Sequence, residues 1–255
     1  MKPIILSYGG GTQSAALCVL VVQNKLPRPE RIVMADTGRE ASQTWDYLRN
    51  VMQPYLATIG LSVEIASHDL ATVDLYGKNG DLLIPAYTTK GMLPGLCSTE
   101  WKKRPISRWL RREGYGPSNP VITWLGISLD EIGRAKPSGV NWQEYKWPLL
   151  FDVTMSRHDC KRLVIKSGLP EPPKSSCWMC PYRSDQQWRQ LKSQYPDDFR
   201  LASELEKEIS ANDNQGELWL TKHRRSLQDI EFTNTSKDLP LFGQVEHCDS
   251  GFCYV

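Results

Sequence analysis

No stretch of this sequence is apolar over the length of a membrane span, and Lys2 is followed by a short apolar segment rather than by a secretory signal pattern. We therefore expect a cytoplasmic protein without a membrane partner. A large charge of one sign is also lacking, because the net charge of the 255 residues is only +2. This balance gives no global case for a nucleic-acid-binding protein. The apolar content of 40% and the charged content of 24% are ordinary for a folded protein.

Positive charge is instead concentrated at two places in the chain. The two clusters are Lys102, Lys103, Arg104, Arg108, Arg111 and Arg112, and Lys222, His223, Arg224 and Arg225. Each cluster could contact the phosphates of a nucleotide, of RNA or of DNA. The alternative for each is a solvated helix face.

An even set of cysteines is absent as well, since the chain has seven. In a cytoplasmic protein this count argues against a disulfide framework and for metal or redox chemistry. Cys18 and Cys160 fall in apolar helical patterns, so we expect both in the core. The remaining candidates for chemistry are Cys97, Cys177, Cys180, Cys248 and Cys253.

A glycine-rich turn follows the first apolar segment and leads into an apolar helical pattern that begins near Ala15. Its sequence is Gly9-Gly10-Gly11-Thr12-Gln13-Ser14. Glycines let the backbone approach an anion closely, and the first N–H groups of a helix need an acceptor, so the turn predicts a phosphate-binding loop. Neither the Gly-Lys-Ser/Thr ending of a Walker loop nor the dinucleotide pattern GxGxxG is present. The alternative is a strand-to-helix turn that binds nothing.

The wider pattern predicts an α/β fold with a parallel, doubly wound, Rossmann-like sheet. An apolar strand that begins at Arg31 and ends in Asp36-Thr37-Gly38 is predicted, and two further strands are predicted at 61–66 and 121–127, with amphipathic helices between them. We assign 1–168 to this nucleotide-binding domain and 169–255 to a smaller, mostly helical region that carries the CxxC and a cysteine tail.

Two local helix signals are found in the second half of the chain. Ser156 with Asp159 predicts a capping box, and 188–209 has the pattern of one helix. Polar residues follow the predicted strands at 36–40 and at 128–134. Because ligands bind at the carboxyl ends of parallel strands, we expect the glycine turn and Asp36 to face one pocket.

Cys177 and Cys180 form the CxxC, a spacing that lets two thiolates bind one metal ion or cluster. Alone, the pair could also be a thioredoxin-like redox motif. Cys97 upstream, with Cys248 and Cys253 near the end, offers the further ligands that a metal needs. Zinc and an iron–sulfur cluster both fit this spacing, and the alternative is that the thiols are unconnected.

Several of these segments resemble adenylyl-sulfate reductases. The segment 96–106 is similar to their CCxxxKxxPL segment, with Cys97 and Lys102 at matching positions and Ser98 in place of the second cysteine. The segments 36–40 and 126–134 are similar to the DTG and GIRADES-R segments of that family. The chain is therefore identified as a phosphoadenosine-phosphosulfate-reductase-like member of the adenine nucleotide α-hydrolase superfamily.

The glycine turn is similar to the SGGxDS loop of the PP-loop ATP pyrophosphatases in the same superfamily. Gly9 replaces the serine of that loop and Gln13 replaces its aspartate, which removes a carboxylate that helps to hold Mg²⁺. The turn has the six-residue length of the pyrophosphatase loop, whereas the corresponding loop of the reductases is shorter and has no room for a triphosphate. The resemblance therefore implies room for a triphosphate.

The resemblance also implies a ligand set. An adenine nucleotide, ATP or a relative, would contact Ser7, Gly9, Gly10, Gly11, Thr12, Gln13, Ser14, Asp36, Thr37, Gly38, Lys102, Gly126 and Arg134. A [4Fe–4S] cluster, or Zn²⁺ as the alternative, would be held by Cys97, Cys177 and Cys180. Because Ser98 replaces a cysteine, the fourth position is either open or filled by Cys248 or Cys253. Asp36 or Asp130 would position Mg²⁺ and the attacking group.

Three functions remain open on these grounds. The first is ATP-dependent sulfur transfer to an acceptor such as tRNA or DNA, supplied by a sulfur donor protein. The second is a reductase of adenylyl sulfate or its 3′-phosphate, which takes electrons from a donor protein and uses Cys248 or Cys253 as its nucleophile. The third is a nucleotide-binding subunit of a larger assembly without turnover of its own.

Overall fold

The computed structural model describes residues 2–67, 74–212 and 216–232. It confirms the predicted α/β fold with a parallel sheet. The strands are β1 (Ile4–Ser7), β2 (Arg31–Ala35), β3 (Val63–Ala66), β4 (Ala86–Tyr87), β5 (Met92–Leu93), β6 (Val121–Leu125) and β7 (Gln143–Lys146). Five of them form one sheet in the order β3-β2-β1-β6-β7, and every pairing in that sheet is parallel.

Eight α-helical segments lie within the described ranges. They are α1 (Thr12–Val22), α2 (Ser42–Tyr47), α3 (Gln53–Ala57), α4 (Arg104–Arg112), α5 (Pro148–Phe151), α6 (Arg157–Lys166), α7 (Asp185–Gln194) and α8 (Pro196–Asn212). None of the described helices is long and apolar enough to cross a bilayer.

The helix predicted over 188–209 is in fact two helices, α7 and α8, which meet at Tyr195. Pro196 explains the break, because proline has no N–H to donate and its ring clashes with the carbonyl group four residues before it. Proline is well placed as the first residue of the next helix, and Pro196 opens α8.

Helices cover both faces of the sheet, so the prediction of a doubly wound sheet is also confirmed. Successive residues of a strand point to opposite faces. Leu6 of β1 packs into the core that includes α1 and α6, whereas its neighbour Ile5 packs on the other side with Trp109 and Leu110 of α4. The predicted core positions Cys18 and Cys160 are both fully buried on the α1 and α6 side.

The described residues divide into two compact units. The first consists of 2–67 and 98–175 and contains the five-stranded sheet; the second consists of 74–97, 176–212 and 216–232 and contains α7, α8 and the β4–β5 hairpin. The domain boundary expected after residue 168 stays a prediction.

The second unit is organised by a buried carboxylate on α8. Glu206 accepts hydrogen bonds from the backbone N–H groups of Leu220, at 2.8 Å, and Leu227, at 2.7 Å. Burial raises the pKa of this carboxyl, and the two N–H donors oppose that shift. The Glu206 side chain thereby holds the segment around Leu220 and Leu227, which has little regular secondary structure, against α8.

Strand order fixes where a ligand can lie in the first unit. From β1 the chain passes through α1 to β2 on one side, while β6 lies on the other side of β1. The direction of winding therefore reverses beside β1, and ligands of open α/β sheets bind outside the carboxyl ends of the strands at such a reversal.

Candidate nucleotide-binding site

The glycine turn joins the carboxyl end of β1 to the first turn of α1. Gly11 is the N-cap of α1, and its N–H donates to the Ser14 hydroxyl at 3.2 Å, while that hydroxyl donates to the Gly11 carbonyl at 3.0 Å. The helix itself supplies no acceptor for the N–H groups of Thr12, Gln13 and Ser14. These groups carry the positive end of the helix dipole and are suited to an anion.

The glycines are required by the protein's own packing. Gly10 has a φ of +76°, which favours glycine, and a Cβ atom there would collide with the Thr44 methyl group. A Cβ atom on Gly11 would lie 3.0 Å from Cβ of Ser175. Neither Thr44 nor Ser175 carries a sequence signal of its own, because each reaches the loop from a distant part of the chain.

The end of β6 supports the same turn from the other side. A Cβ atom on Gly126 would lie 3.0 Å from the backbone nitrogen of Ser14. Gln13 donates from Nε2 to the Ser128 hydroxyl at 3.4 Å, and that hydroxyl donates to Asp130 at 3.3 Å. The side chain that replaces the family's aspartate therefore ties the loop to the predicted catalytic carboxylate.

Asp130 has a second structural contact. Its carboxylate accepts from the backbone N–H of Arg157, the first residue of α6. Its side chain is exposed. The geometry thus connects the loop, the end of β6 and the start of α6 through one acidic group.

The end of β2 forms a compact turn. The Asp36 carboxylate accepts from the N–H of Gly38 at 2.7 Å, and the Thr37 hydroxyl accepts from the N–H of Arg39 at 3.2 Å. The Thr37 hydroxyl also donates to Glu40 at 3.4 Å. The turn places the predicted residues Asp36, Thr37 and Gly38 at the edge of the sheet that carries the glycine turn.

An ion pair joins the end of β2 to the turn that leads into α4. Lys102 Nζ lies 3.2 Å from Glu40 Oε1, and the two side chains are only 18% and 2% exposed. The guanidinium of Arg39 lies over the ring of the buried Trp101, 4.8 Å from its centroid. Lys102, which the sequence singled out by its spacing from Cys97 along the chain, is therefore held beside the residues that follow β2.

Arg134 is held in a similar way after β6. Its Nη1 lies 2.7 Å from Glu131 Oε1, and the side chains are 15% and 6% exposed. Burial lowers the pKa of Lys103, in the turn that leads into α4, and the charge of Lys136 lowers it further. Two largely buried cations of the first unit, Lys102 and Arg134, are thus each paired with a carboxylate that follows β2 or β6.

The predicted metal ligands Cys97, Cys177 and Cys180 all belong to the second unit and are partly exposed. The N–H of Cys180 donates to the Cys177 carbonyl at 3.1 Å, as does Nη2 of Arg183 at 3.1 Å. Over 2–67, 74–212 and 216–232, no three His, Cys, Asp or Glu side chains form a group that could hold a metal ion. The predicted ligands and nucleophiles Cys248 and Cys253 lie outside the described residues, so the ligand set stays a prediction.

The structure brings the predicted nucleotide residues together in one unit. At or beyond the carboxyl ends of β1, β2 and β6 lie Ser7, the glycine turn, Asp36 to Gly38, Gly126, Asp130 and Arg134, while Lys102 belongs to the same unit and pairs with Glu40. Sequence reasoning missed Thr44 and Ser175, which contact the turn, and Glu40 as the partner of Lys102. The role of the residues predicted from the sequence in binding a nucleotide stays a prediction.

The comparisons with known proteins give distant matches. No protein family model matches the chain. An uncharacterised 37.8 kDa protein from the gpa 5′ region of Escherichia phage 186 is 22% identical over 263 residues, which cover 83% of this chain and 77% of that protein.

Two solved structures are similar to the chain. Phosphoadenylyl-sulfate (PAPS) reductase from Candida auris, in a phosphate complex, has a TM-score of 0.44 and 16% identity, covering 70% of this chain and 82% of that one. The U34-tRNA thiolase NcsA from Methanococcus maripaludis, with its [4Fe–4S] cluster, has a TM-score of 0.38 and 15% identity, covering 87% and 77%. Both belong to the adenine nucleotide α-hydrolase superfamily, which the sequence motifs resemble.

Proposed function

We propose that the chain binds ATP at the carboxyl edge of its sheet and uses it to activate an acceptor for sulfur transfer. The observation that carries this proposal is the position of the glycine turn. It lies after the central strand β1, beside the reversal of winding between β1 and β6. Gly126 is packed against the first turn of α1, where a Cβ atom on it would lie 3.0 Å from the backbone nitrogen of Ser14. A phosphate chain on the N–H groups of Thr12 to Ser14 would lie where this fold class binds nucleotides.

The choice of a triphosphate rests on the length of the turn. Six residues from Gly9 to Ser14 match the pyrophosphatase loops that the turn resembles. Asp36 and Asp130, after β2 and β6, are the carboxylates that would hold Mg²⁺, since hard cations take oxygen ligands. When bound, Mg²⁺ would neutralise charge on the phosphates.

The reaction we propose is an adenylation followed by a displacement. A carbonyl oxygen of the acceptor attacks the α-phosphorus of ATP, and the bond to the bridging oxygen of pyrophosphate breaks. The helix N–H groups stabilise the negative charge that develops on the departing phosphates. A sulfur nucleophile at the oxidation level of sulfide then replaces the adenylate, and AMP leaves with the original oxygen.

The iron–sulfur centre is a separate part of the proposal. Cys97, Cys177, Cys180 and Cys248 have the chemistry for a [4Fe–4S] cluster, but the three described cysteines do not form a three-ligand group. In this proposal a donor protein supplies the sulfur.

The acceptor we propose is a nucleic acid, tRNA or DNA. The positive segment between Lys102 and Arg112 includes four exposed arginines on α4, of which Arg104 pairs with Glu100; the other three are Arg108, Arg111 and Arg112. Exposed cations on one helix are suited to backbone phosphates. Measuring how retention of tRNA and of duplex DNA falls with salt would test this acceptor class.

Activity assays separate the three functions. Pyrophosphate release from ATP, stimulated by an acceptor, is expected, and sulfite release from adenylyl sulfate or its 3′-phosphate is not. The reverse result would favour the reductase, and silence in both assays with nucleotide still bound would favour a non-catalytic subunit. Titration calorimetry with ATP supplies the binding measurement.

A matched pair of glycine variants tests the site itself. Gly10→Ala places a methyl group against Thr44 at a positive φ and should weaken ATP binding by at least about tenfold, roughly 1.4 kcal/mol. Gly139→Ala, where nothing lies within 4 Å of the new methyl group, is the control and should bind as the wild type does. Equal affinity of Gly10→Ala and wild type would contradict the assignment of the loop.

A further inference from the structure

The segment 170–175 runs from the end of α6 towards the CxxC and is anchored in the first unit at both of its ends. At its start, the Tyr47 hydroxyl of α2 donates to the Pro170 carbonyl at 3.0 Å. At its end, the Ser175 hydroxyl donates to the Gly9 carbonyl. Two anchors on one short segment restrict where its last residue can lie.

The composition of the segment makes it stiff. Proline occupies positions 170, 172 and 173, and each proline ring fixes its own φ. The ring also restricts the residue before it to extended conformations. Pro172 is buried. A stiff segment that is fixed at Pro170 therefore presents Ser175 to the glycine turn in a defined place.

The contact with the turn has a direct consequence for an anion. A loop that binds phosphate must point N–H groups at the ligand and carbonyl oxygens elsewhere. The Gly9 carbonyl oxygen points at the Ser175 hydroxyl, and Cβ of Ser175 lies 3.0 Å from where Gly11 would carry a side chain. Ser175 thus contacts the turn at both ends of its three glycines.

We propose that Ser175 is a positioning residue for the glycine turn, holding the Gly9 carbonyl away from the anion so that the following N–H groups face it. This inference rests on the proposed nucleotide site and adds a residue that acts through the loop rather than on the ligand. Because coupling between two sites is reciprocal, a nucleotide bound on the turn also stabilises the segment 170–175.

The test combines amide hydrogen exchange with ATP affinity. Ser175→Ala keeps the Cβ contact with Gly11 and removes only the hydroxyl. It should speed exchange in peptides that cover 9–11 and weaken ATP binding about two- to tenfold, the range expected for one hydrogen bond. In the wild type, ATP should slow exchange in 170–175, and in Ser175→Ala it should do so less.

Two further variants complete the design. Gly11→Ala places a Cβ atom 3.0 Å from Cβ of Ser175 and so disturbs the same contact from the loop. It should speed amide exchange in 170–175 as well as in the turn. Ser203→Ala removes a hydroxyl that donates to the Phe199 carbonyl at 2.9 Å in the second unit. As the matched control, it should leave exchange in the turn and ATP affinity unchanged.

Each result decides the matter. Unchanged exchange at 9–11 in Ser175→Ala would overturn the inference, even if ATP binding is weakened, since Ser175 would then act directly on the ligand. A wild-type protein that binds no nucleotide would overturn the proposed function. The exchange of the turn would still decide whether Ser175 positions it.

Discussion

Gly126 shows how one missing side chain can shape the site. It follows β6, and its Cα faces the first turn of α1 so closely that a Cβ atom would lie 3.0 Å from the Ser14 nitrogen and 3.1 Å from the Gln13 carbonyl carbon. These are backbone atoms of a helix, which cannot move aside as a flexible side chain can. The helix N-terminus and the end of β6 are therefore in contact because position 126 is glycine.

Replacing this glycine should cost both stability and affinity. Gly126→Ala is expected to lower the free energy of unfolding by about 1 to 3 kcal/mol through overpacking. It should also weaken ATP binding, because the N–H groups of Gln13 and Ser14 must shift. Urea denaturation and calorimetry measure the two effects.

Gly133→Ala provides the comparison for this prediction. Position 133 lies in the turn after β6, and an added Cβ atom there meets nothing within 4 Å. This variant should unfold and bind as the wild type does. If Gly126→Ala behaved in the same way, the close approach of β6 to α1 would not be important for the site.

At the scale of elements, both π-helical turns of the described chain precede a proline. The turn Leu48–Met52 leads into α3, whose second residue is Pro54, and the turn Thr99–Lys103 leads into α4, whose second residue is Pro105. Proline donates no hydrogen bond, so the backbone can widen ahead of it without losing one. The second of these turns contains Lys102, whose ammonium group forms the ion pair with Glu40.

The start of α6 illustrates an element that is defined by its own sequence. The Ser156 hydroxyl accepts from the Asp159 N–H at 3.1 Å and donates to the Asp159 carboxylate at 2.6 Å. These bonds, with the Arg162 guanidinium beside the carboxylate, lower the pKa of Asp159 to about 2. The predicted capping box is confirmed.

Removing this cap should have a pH-dependent effect. A carboxyl group whose pKa is lowered on folding stabilises the protein above its unfolded value, here 3.8, and loses that contribution as the pH falls towards about 2. Ser156→Ala should cost about 1 kcal/mol near neutral pH. The difference from wild type should shrink across that acidic window.

The capping box of α7 is the natural control, because its partner does not titrate. Ser184 accepts from the N–H of Gln187, whose side chain accepts in return from the N–H of Ser184 at 3.0 Å. Ser184→Ala should cost a similar amount at every pH. A pH-independent difference for Ser156→Ala as well would show that Asp159 is not linked to its stability.

At the scale of the whole molecule, the cysteines fall into two groups. Cys18 and Cys160 are core residues of the sheet unit, and burial raises the pKa of both thiols, that of Cys160 to about 12. Their thiols are therefore poor candidates for metal binding. Cys97, Cys177 and Cys180 lie in the second unit and stay candidates, together with Cys248 and Cys253 outside the described residues.

Anaerobic purification gives the deciding measurement for the metal. We expect iron and the broad visible absorption of an iron–sulfur cluster, and we expect Cys177→Ser to lose both, while Cys18→Ala retains them. Cys248→Ser should change the spectrum if this residue is a ligand. Under the reductase alternative, in which the wild type releases sulfite, a Cys248→Ser variant that keeps the spectrum but stops that release would mark a nucleophile instead. A colourless wild-type protein that contains zinc would make the centre structural.

The sequence by itself determined the features that depend on neighbours in the chain. Alternating and helical apolar periods specified β1, β2, β6 and the helices beside them, and glycines marked the turn after β1. It did not reveal β7, whose residues Gln143 to Lys146 are mostly polar, and the pattern across 188–209 concealed the effect of Pro196. Short edge strands and single breaks carry too little periodicity to detect.

Tertiary structure alone decided which distant residues meet at the glycine turn. Thr44 and Ser175 reach it from other elements, and Glu40 meets Lys102 from another strand end. Such contacts depend on how helices pack on the sheet and on the path of the 170–175 segment. Residue types and spacing in the sequence record neither, because many packings would satisfy the same periodicity while only one brings these atoms together.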